Sequence, residues 1–418
     1  MADFPHIPFD EAVTALRRRG TNLFPSEHWA TVWQEQHHAG FTVARSAGFD
    51  ILKDVHAALM KAMENGTTFA DFKRDLIPTL QKKGWWGRTT VIDPETREER
   101  TVQLGSVRRL ETIFDVNMNV SYAQGRWEQQ QKLKGAFPYL RYEGILDSKI
   151  RPQHRRWHGI ILPVDHPWWK THYPPNGWKC RCDAVSVSVD DLELYGWRVS
   201  ETPADEGVVT WINPATGEVM DVPAGIDPGW AYNPGNTDRA AQLARLAMDK
   251  LITLPASIGA AAVAELASAF PQVERELGEW INGITARVAA GDFRTTGERR
   301  VVGAFGDDVL HFLEAKGISP TTAAVSISDE DLTHTLRTAK VDPLPPSVWK
   351  RLPSLFIRPE NIYWDKQNPG VVYVLNEREG AGKIIVLVDY ATRFQRKQLI
   401  INTIRTGKLV KSLEEFDN

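Results

Sequence analysis

The two cysteines of this 418-residue chain, Cys180 and Cys182, stand one residue apart in a stretch that also holds four of its eleven histidines. That stretch runs from Leu146 to Val185, LDSKIRPQHRRWHGIILPVDHPWWKTHYPPNGWKCRCDAV. Its prolyl-aromatic turns, DHPWW and YPPNGW, allow short strands and turns but no long helix. His154 and His158 are four apart and share a face if their segment is helical. Cys-x-Cys presents two sulfurs from one short extended segment, and two His with two Cys suit a tetrahedral, structural Zn2+ site. The spacing His-x3-His-x21-Cys-x-Cys is neither a finger nor a ribbon pattern. Two other arrangements stay open: histidines that are simply packed polar residues, and a cysteine activated by two histidines and Asp147. A Cys180–Cys182 disulfide would close a strained small ring and is disfavoured.

Length bounds the chain to two or three domains with sizeable cores. Its hydrophobic content of 42% and charged content of 25% are ordinary for a globular protein. A net charge of −3 gives no global pull toward nucleic acid, so any basic footprint is local. Two such runs exist: seven Lys/Arg against two acids from Asp147 to Cys182, and six Lys/Arg with no acid from Thr392 to Lys411. Each reads equally well as a solvated face. The fifteen tryptophans cluster at turns, as expected of packing and interface anchors. Only two cysteines, one residue apart, argue against an oxidised secreted scaffold, and there is neither a signal pattern nor an apolar run of ~18–20 residues. The expected setting is the bacterial cytoplasm until packaging, with no membrane partner.

Periodicity predicts helices over 9–19, 26–64 (capped by Ser26, stopped by Gly66), 68–82 and 106–134, with a small hairpin between the last two around the turn DPET. YLRYEGI and Asp183 to Val189 alternate as strands, and 201–235 is a series of turns around one hairpin. An Ala-rich helical segment, interrupted by Pro255 and Pro271, reads as a connector over 237–291. Beyond it, Ser328 caps a helix, three runs (Asn361 to Trp364, Gly370 to Asn376, Lys383 to Tyr390) form an antiparallel meander, and RFQRKQLIINTIRTGK closes the chain as a helix. The fold class is α+β and multidomain: a helical part at 1–137, a His/Cys core at 138–236, the connector, and an α+β domain with an antiparallel sheet at 292–418.

The ordered motifs D-x3-RP-x-H-x3-HG, P-x-DHPWW, PPNGWKCRC and GIDPGWAYNPG, with KGWWG and RRLETIFDVNMNVSYAQGRW upstream, resemble those of phage Mu F-type minor head proteins, also called head morphogenesis proteins. The resemblance covers about residues 60–240. It implies a virion component inside the capsid near the portal, with the portal protein and major capsid or scaffold proteins as partners.

The C-terminal block, through its H-x2-R helix, WKRLP-x-L and N-x3-T elements, resembles phage nucleases of the barnase/EndoU/colicin/RelE-like superfamily. This implies a metal-independent ribonuclease effector, toxin-like, acting on RNA in a cell. Such chemistry needs a general base, a general acid and donors for the phosphorane charge. His334 is the candidate acid or base beside Arg337. Asn402 and Thr406, four apart on the expected last helix, are candidate donors, and Lys383, Arg393, Arg396 and Lys397 are candidates for binding nucleic acid, whether packaged DNA or target RNA. The alternative is a structural virion protein whose C-terminal domain binds nucleic acid or capsid partners without catalysis.

Overall fold

The computed structural model describes residues 8–410 apart from 27, 33, 35, 47, 93–98, 204, 205, 215, 216, 237, 238, 338–342, 358, 360, 366–368, 378, 379, 395 and 396. The chain mixes helices with sheets that are antiparallel except for one pairing in the second unit, where Lys397–Val410 runs parallel to Ala324–Ser328 and makes mixed a sheet expected to be antiparallel, and it divides into two compact units. The first is residues 1–211 with 221–239, and the second is 212–220 with 240–418.

The spine of the first unit is the helix Val107–Leu133, started by the Ser106 hydroxyl, which accepts from the Arg109 N–H. Its N-terminal half contributes Leu110 and Met118 to a helical core with Leu16, Leu52, Leu59, Phe72 and Leu80. Its C-terminal half contributes Val120, Ala123 and Trp127 to a second, aromatic core around a small sheet. Each such buried side chain stabilises the unit by roughly 1.5–3 kcal/mol relative to exposure. The helices Asp10–Gly20, Phe49–Asn65 and Phe69–Lys82 pack in the first core. Gly66, at φ 64°, ends the second of these, and the Thr68 hydroxyl caps the third.

The helix expected over 26–64 begins only at Phe49. Within 26–48 the chain instead forms a one-turn 3-10 helix, Trp29–Thr31, a short helix, Gln36–Ala39, and isolated parallel bridges, Leu23 to Phe41 and Ser26 to Ala44. Ser26 is therefore no N-cap; its hydroxyl meets that of Thr42 at 2.8 Å. The hairpin Arg88–Ile92 with Glu99–Gln103 forms as expected, while its DPET turn lies outside the described residues.

The small sheet has Tyr139–Glu143 at its centre, antiparallel both to Ile161–Pro163 and to Asp183–Val187. Alternation puts Leu140 and Tyr142 on the buried face, where both are fully enclosed.

In the second unit a six-stranded sheet runs in the order Asn361–Asp365, Gly370–Glu377, Gly380–Phe394, Lys397–Val410, Ala324–Ser328, Arg299–Ala304. The terminal segment expected as a helix is instead the end of the strand Gly380–Phe394 and most of the strand Lys397–Val410 that pairs back along it. The helices Arg239–Lys250, Ala256–Glu265 and Phe270–Ala289, expected as a connector, contribute Met248, Val263, Phe270, Leu277 and Ile284 to the same core as Trp349, Phe356 and Tyr373. A largely buried ion network ties them to the sheet: Glu276 accepts from Arg245 at 2.9 Å and from Arg300 at 2.7 Å.

Candidate functional site

The signature motifs of the first unit converge on one locus. Pro152 opens the short helix Pro152–Trp157, which is one and a half turns long and carries His154 inward. Cys180 and Cys182 lie in the lead-in to the strand Asp183–Val187, and Tyr142 comes from the central strand, opposite Ala184.

His154 is 1% exposed and Cys180 4%, while Cys182 is half-buried. His154 Nδ1 lies 3.6 Å from Sγ of Cys180 and 3.4 Å from Sγ of Cys182, and its Nε2 lies 3.0 Å from the carbonyl oxygen of Gly225. That approach requires glycine: residue 225 has φ 91°, and a Cβ there would stand 2.5 Å from Cβ of Gln153. A hydrogen bond between the two cysteines lowers the pKa of Cys180 and raises that of Cys182. Burial, with the two cysteines beside it, raises the pKa of Tyr142, whose hydroxyl donates to Oδ1 of Asn176 at 2.9 Å.

A second set of bonds locks the motifs together. The Arg151 guanidinium donates to Oδ2 of Asp227 at 2.6 Å and to the Trp178 carbonyl at 2.9 Å. The Trp178 N–H donates to the same Asp227 oxygen at 2.8 Å, and the Asp227 N–H donates to the Asn176 carbonyl at 3.0 Å. Trp157, Trp168 and His172 pack edge-on and stacked around this frame. Reasoning from residue types missed Tyr142, Asn176, Gly225 and Asp227; the signal was present in PPNGW and GIDPGW, whose polar residues are the ones that meet.

His158 does not join the cysteines, which corrects the four-residue set. The helix ends at Trp157, and His158 turns out with ψ 128°. Its Nδ1 lies 3.1 Å from the Gly144 N–H and 3.3 Å from Oε2 of Glu143. One nitrogen cannot both accept from Gly144 and donate to Glu143. Burial, then Arg141, lowers the His158 pKa, which favours the neutral ring that accepts from Gly144.

In the second unit, the Ser328 hydroxyl caps the helix Asp329–Leu336 as expected; the tail of that segment, 338–340, lies outside the described residues. His334 is exposed on this helix, and exposed Arg337 stacks its guanidinium 4.6 Å from the Phe293 ring centroid. Asn402 lies on a strand and is fully buried. Its amide donates to the carbonyls of Thr322 at 2.7 Å and Ala324 at 3.0 Å, and its oxygen accepts from the Asp389 N–H at 3.2 Å. It is thus engaged by backbone rather than aimed at a phosphate. Thr406 pairs with Ile385 just past a bulge that breaks the two-residue alternation, so the shared face expected for Asn402 and Thr406 is absent.

The basic set is also dispersed. Lys383 pairs with Lys408 near one end of the long hairpin, and Arg393 and Lys397 flank its other end. Ten strand positions separate Lys383 from Arg393, on the order of 30 Å. Arg396 lies outside the described residues.

Residues 53–185 match the family described as phage Mu protein F like protein. Across 91% of this chain and 86% of the relative, the chain is 29% identical to protein F of Escherichia phage Mu, which is named for capsid assembly. It is 32% identical to the Mu-like prophage FluMu F protein of Haemophilus influenzae, over 50% of this chain and 52% of that relative. No solved structure matches the chain significantly.

Proposed function

We propose that this chain, phage Mu F-like over residues 53–185, is a capsid assembly protein of a phage head. The observation that carries the reading is the alignment with the phage Mu protein named for capsid assembly, which extends past the family region over 91% of this chain. The geometry of the first unit supports it. Arg151, Asn176, Trp178 and Asp227 direct their polar atoms at one another, the behaviour of a frame that holds a docking surface in shape. Its partners are then phage head proteins, and the finer placement we infer is inside the capsid beside the portal protein. Removing the gene from its phage or prophage tests this. The expected result is loss of DNA-filled heads, restored by supplying the chain in trans; normal heads without it would overturn the reading.

A second activity is proposed for the second unit, cleavage of RNA with His334 as acid or base and Arg337 beside it. Its support is the exposure of His334 on the capped helix and of Arg337 just past the helix end, together with the resemblance stated above. The full-length protein, incubated with tRNA and total RNA, is expected to cleave equally well with and without EDTA. Intact RNA under both conditions would make this unit a binding module for nucleic acid or a capsid partner.

A further inference from the structure

We propose that His154, Cys180 and Cys182 form a Zn2+ site, with solvent in the fourth position. Their donor atoms lie within 4.8 Å of one another, although they come from two segments of the chain. A tetrahedral zinc with Zn–S of ~2.3 Å and Zn–N of ~2.0–2.1 Å has nitrogen-to-sulfur edges of about 3.6 Å. The two observed separations, 3.6 and 3.4 Å, match such edges.

The imidazole is set for this task. Its Nε2–H donates to the Gly225 carbonyl at 3.0 Å, which leaves the Nδ1 lone pair facing both sulfurs. An outer hydrogen bond of this kind fixes the tautomer and ring angle of metal-bound histidines. Nδ1 has one lone pair and two thiols within reach, so as a hydrogen-bond acceptor it takes a proton from only one of them. A metal ion engages all three atoms, and binding releases the two thiol protons.

Two thiolates and a neutral imidazole balance the charge of Zn2+, which suits a locus as buried as His154 and Cys180. Two sulfurs and one nitrogen are also the ligand softness that selects zinc over hard cations. The residue between the sulfurs, Arg181, is held outward by two bonds to Asp147, at 2.7 and 2.8 Å, so that both thiols turn inward.

The test uses the full-length chain, purified without chelators and assayed for metal, followed by Co2+ titration of the reduced, chelator-stripped protein. Stoichiometric zinc is expected, together with a thiolate-to-cobalt charge-transfer band. Cys180→Ser and Cys182→Ser should each lower zinc affinity by at least ~10-fold, the size that even outer-shell changes produce, whereas His158→Ala should retain full zinc. Absence of both stoichiometric zinc and the cobalt band in the wild-type chain would overturn the site, and this reading does not depend on any variant folding. Undiminished zinc in the two serine variants, or its loss in His158→Ala, would overturn the assigned ligand set.

Discussion

The guanidinium of Arg151 lies 2.6 Å from Oδ2 of Asp227, a residue seventy-six positions later in the chain. That single oxygen also accepts the Trp178 N–H, so one carboxylate joins three motifs that are remote in sequence. The pair is partly exposed, which screens it, and its value lies in the geometry it imposes as much as in its charge.

Asp227→Ala should therefore destabilise the first unit by about 2 kcal/mol, the size expected for losing hydrogen bonds to an ionised acceptor. A double-mutant cycle with Arg151→Ala should return a coupling of about 1 kcal/mol in chemical denaturation. Additive single effects would mean that the two side chains do not act as a pair.

Gly225→Ala should cost about 2 kcal/mol or more, because the backbone there is left-handed and the added methyl meets Gln153. A thermal melt that does not move would show that the Gly225 carbonyl is not fixed against His154.

Asn402→Ala and His334→Ala should separate cleanly. The first removes partners from two buried carbonyls and one N–H and should cost about 3 kcal/mol. The second, at an exposed position, should stay within about 0.5 kcal/mol. If RNA is cleaved, His334→Ala should slow it by ~10²–10⁴-fold. A stability loss in His334→Ala comparable to that of Asn402→Ala would make the histidine structural.

Acid should weaken the first unit before carboxylates protonate. Burial, and then Arg19, pushes His37 down to about 4; burial and Arg19 likewise lower His56, against the hydrogen bond His56 makes with the Leu16 carbonyl. Both histidines have folded pKa values below their unfolded ones. The stability they confer is fully present above about 6.5 and drains away as pH falls from there toward about 4. His56→Gln should flatten that part of the melting-temperature profile. An equally steep profile would assign the loss to other groups.

A fragment spanning 240–418 should melt cooperatively, whereas 292–418 should not, because the latter lacks Met248, Val263, Phe270, Leu277 and Ile284 from its core. A cooperative melt of the shorter piece would restore the view of 237–291 as a connector.

What could be read from sequence alone follows from range. Thr68, Ser106 and Ser328 announce their helices because a cap involves residues three positions away. The strand at 139–143 shows through period-two burial, with Leu140 and Tyr142 inward. Segment 26–48 misleads because it runs without a break into the periodic helix 49–65, while its own buried apolar residues Val32, Phe41 and Val43 lack helical spacing and bridges from Leu23 to Phe41 and Ser26 to Ala44 decide its shape. The last segment misleads in the opposite direction: its basic residues suggest a solvated helix, but β-branched Ile400, Ile401, Thr403 and Ile404 lie on a strand that pairs with two neighbouring strands. His158 fails as a metal ligand for a local reason, since positions four apart share a face only where the helix continues. The site itself needed the fold, because nothing in the spacing of Arg151, Gly225 and Asp227 reveals that they meet.

The span between Arg151 and Asp227 also sets a clock for biosynthesis. At ~5–20 residues per second a ribosome takes roughly 4–15 s to make the intervening chain. Throughout that interval the nascent first unit has its tryptophan-rich core open and lacks the strut that closes it. A chain terminated within this stretch therefore emerges with that core uncovered, as a target for chaperones and proteases.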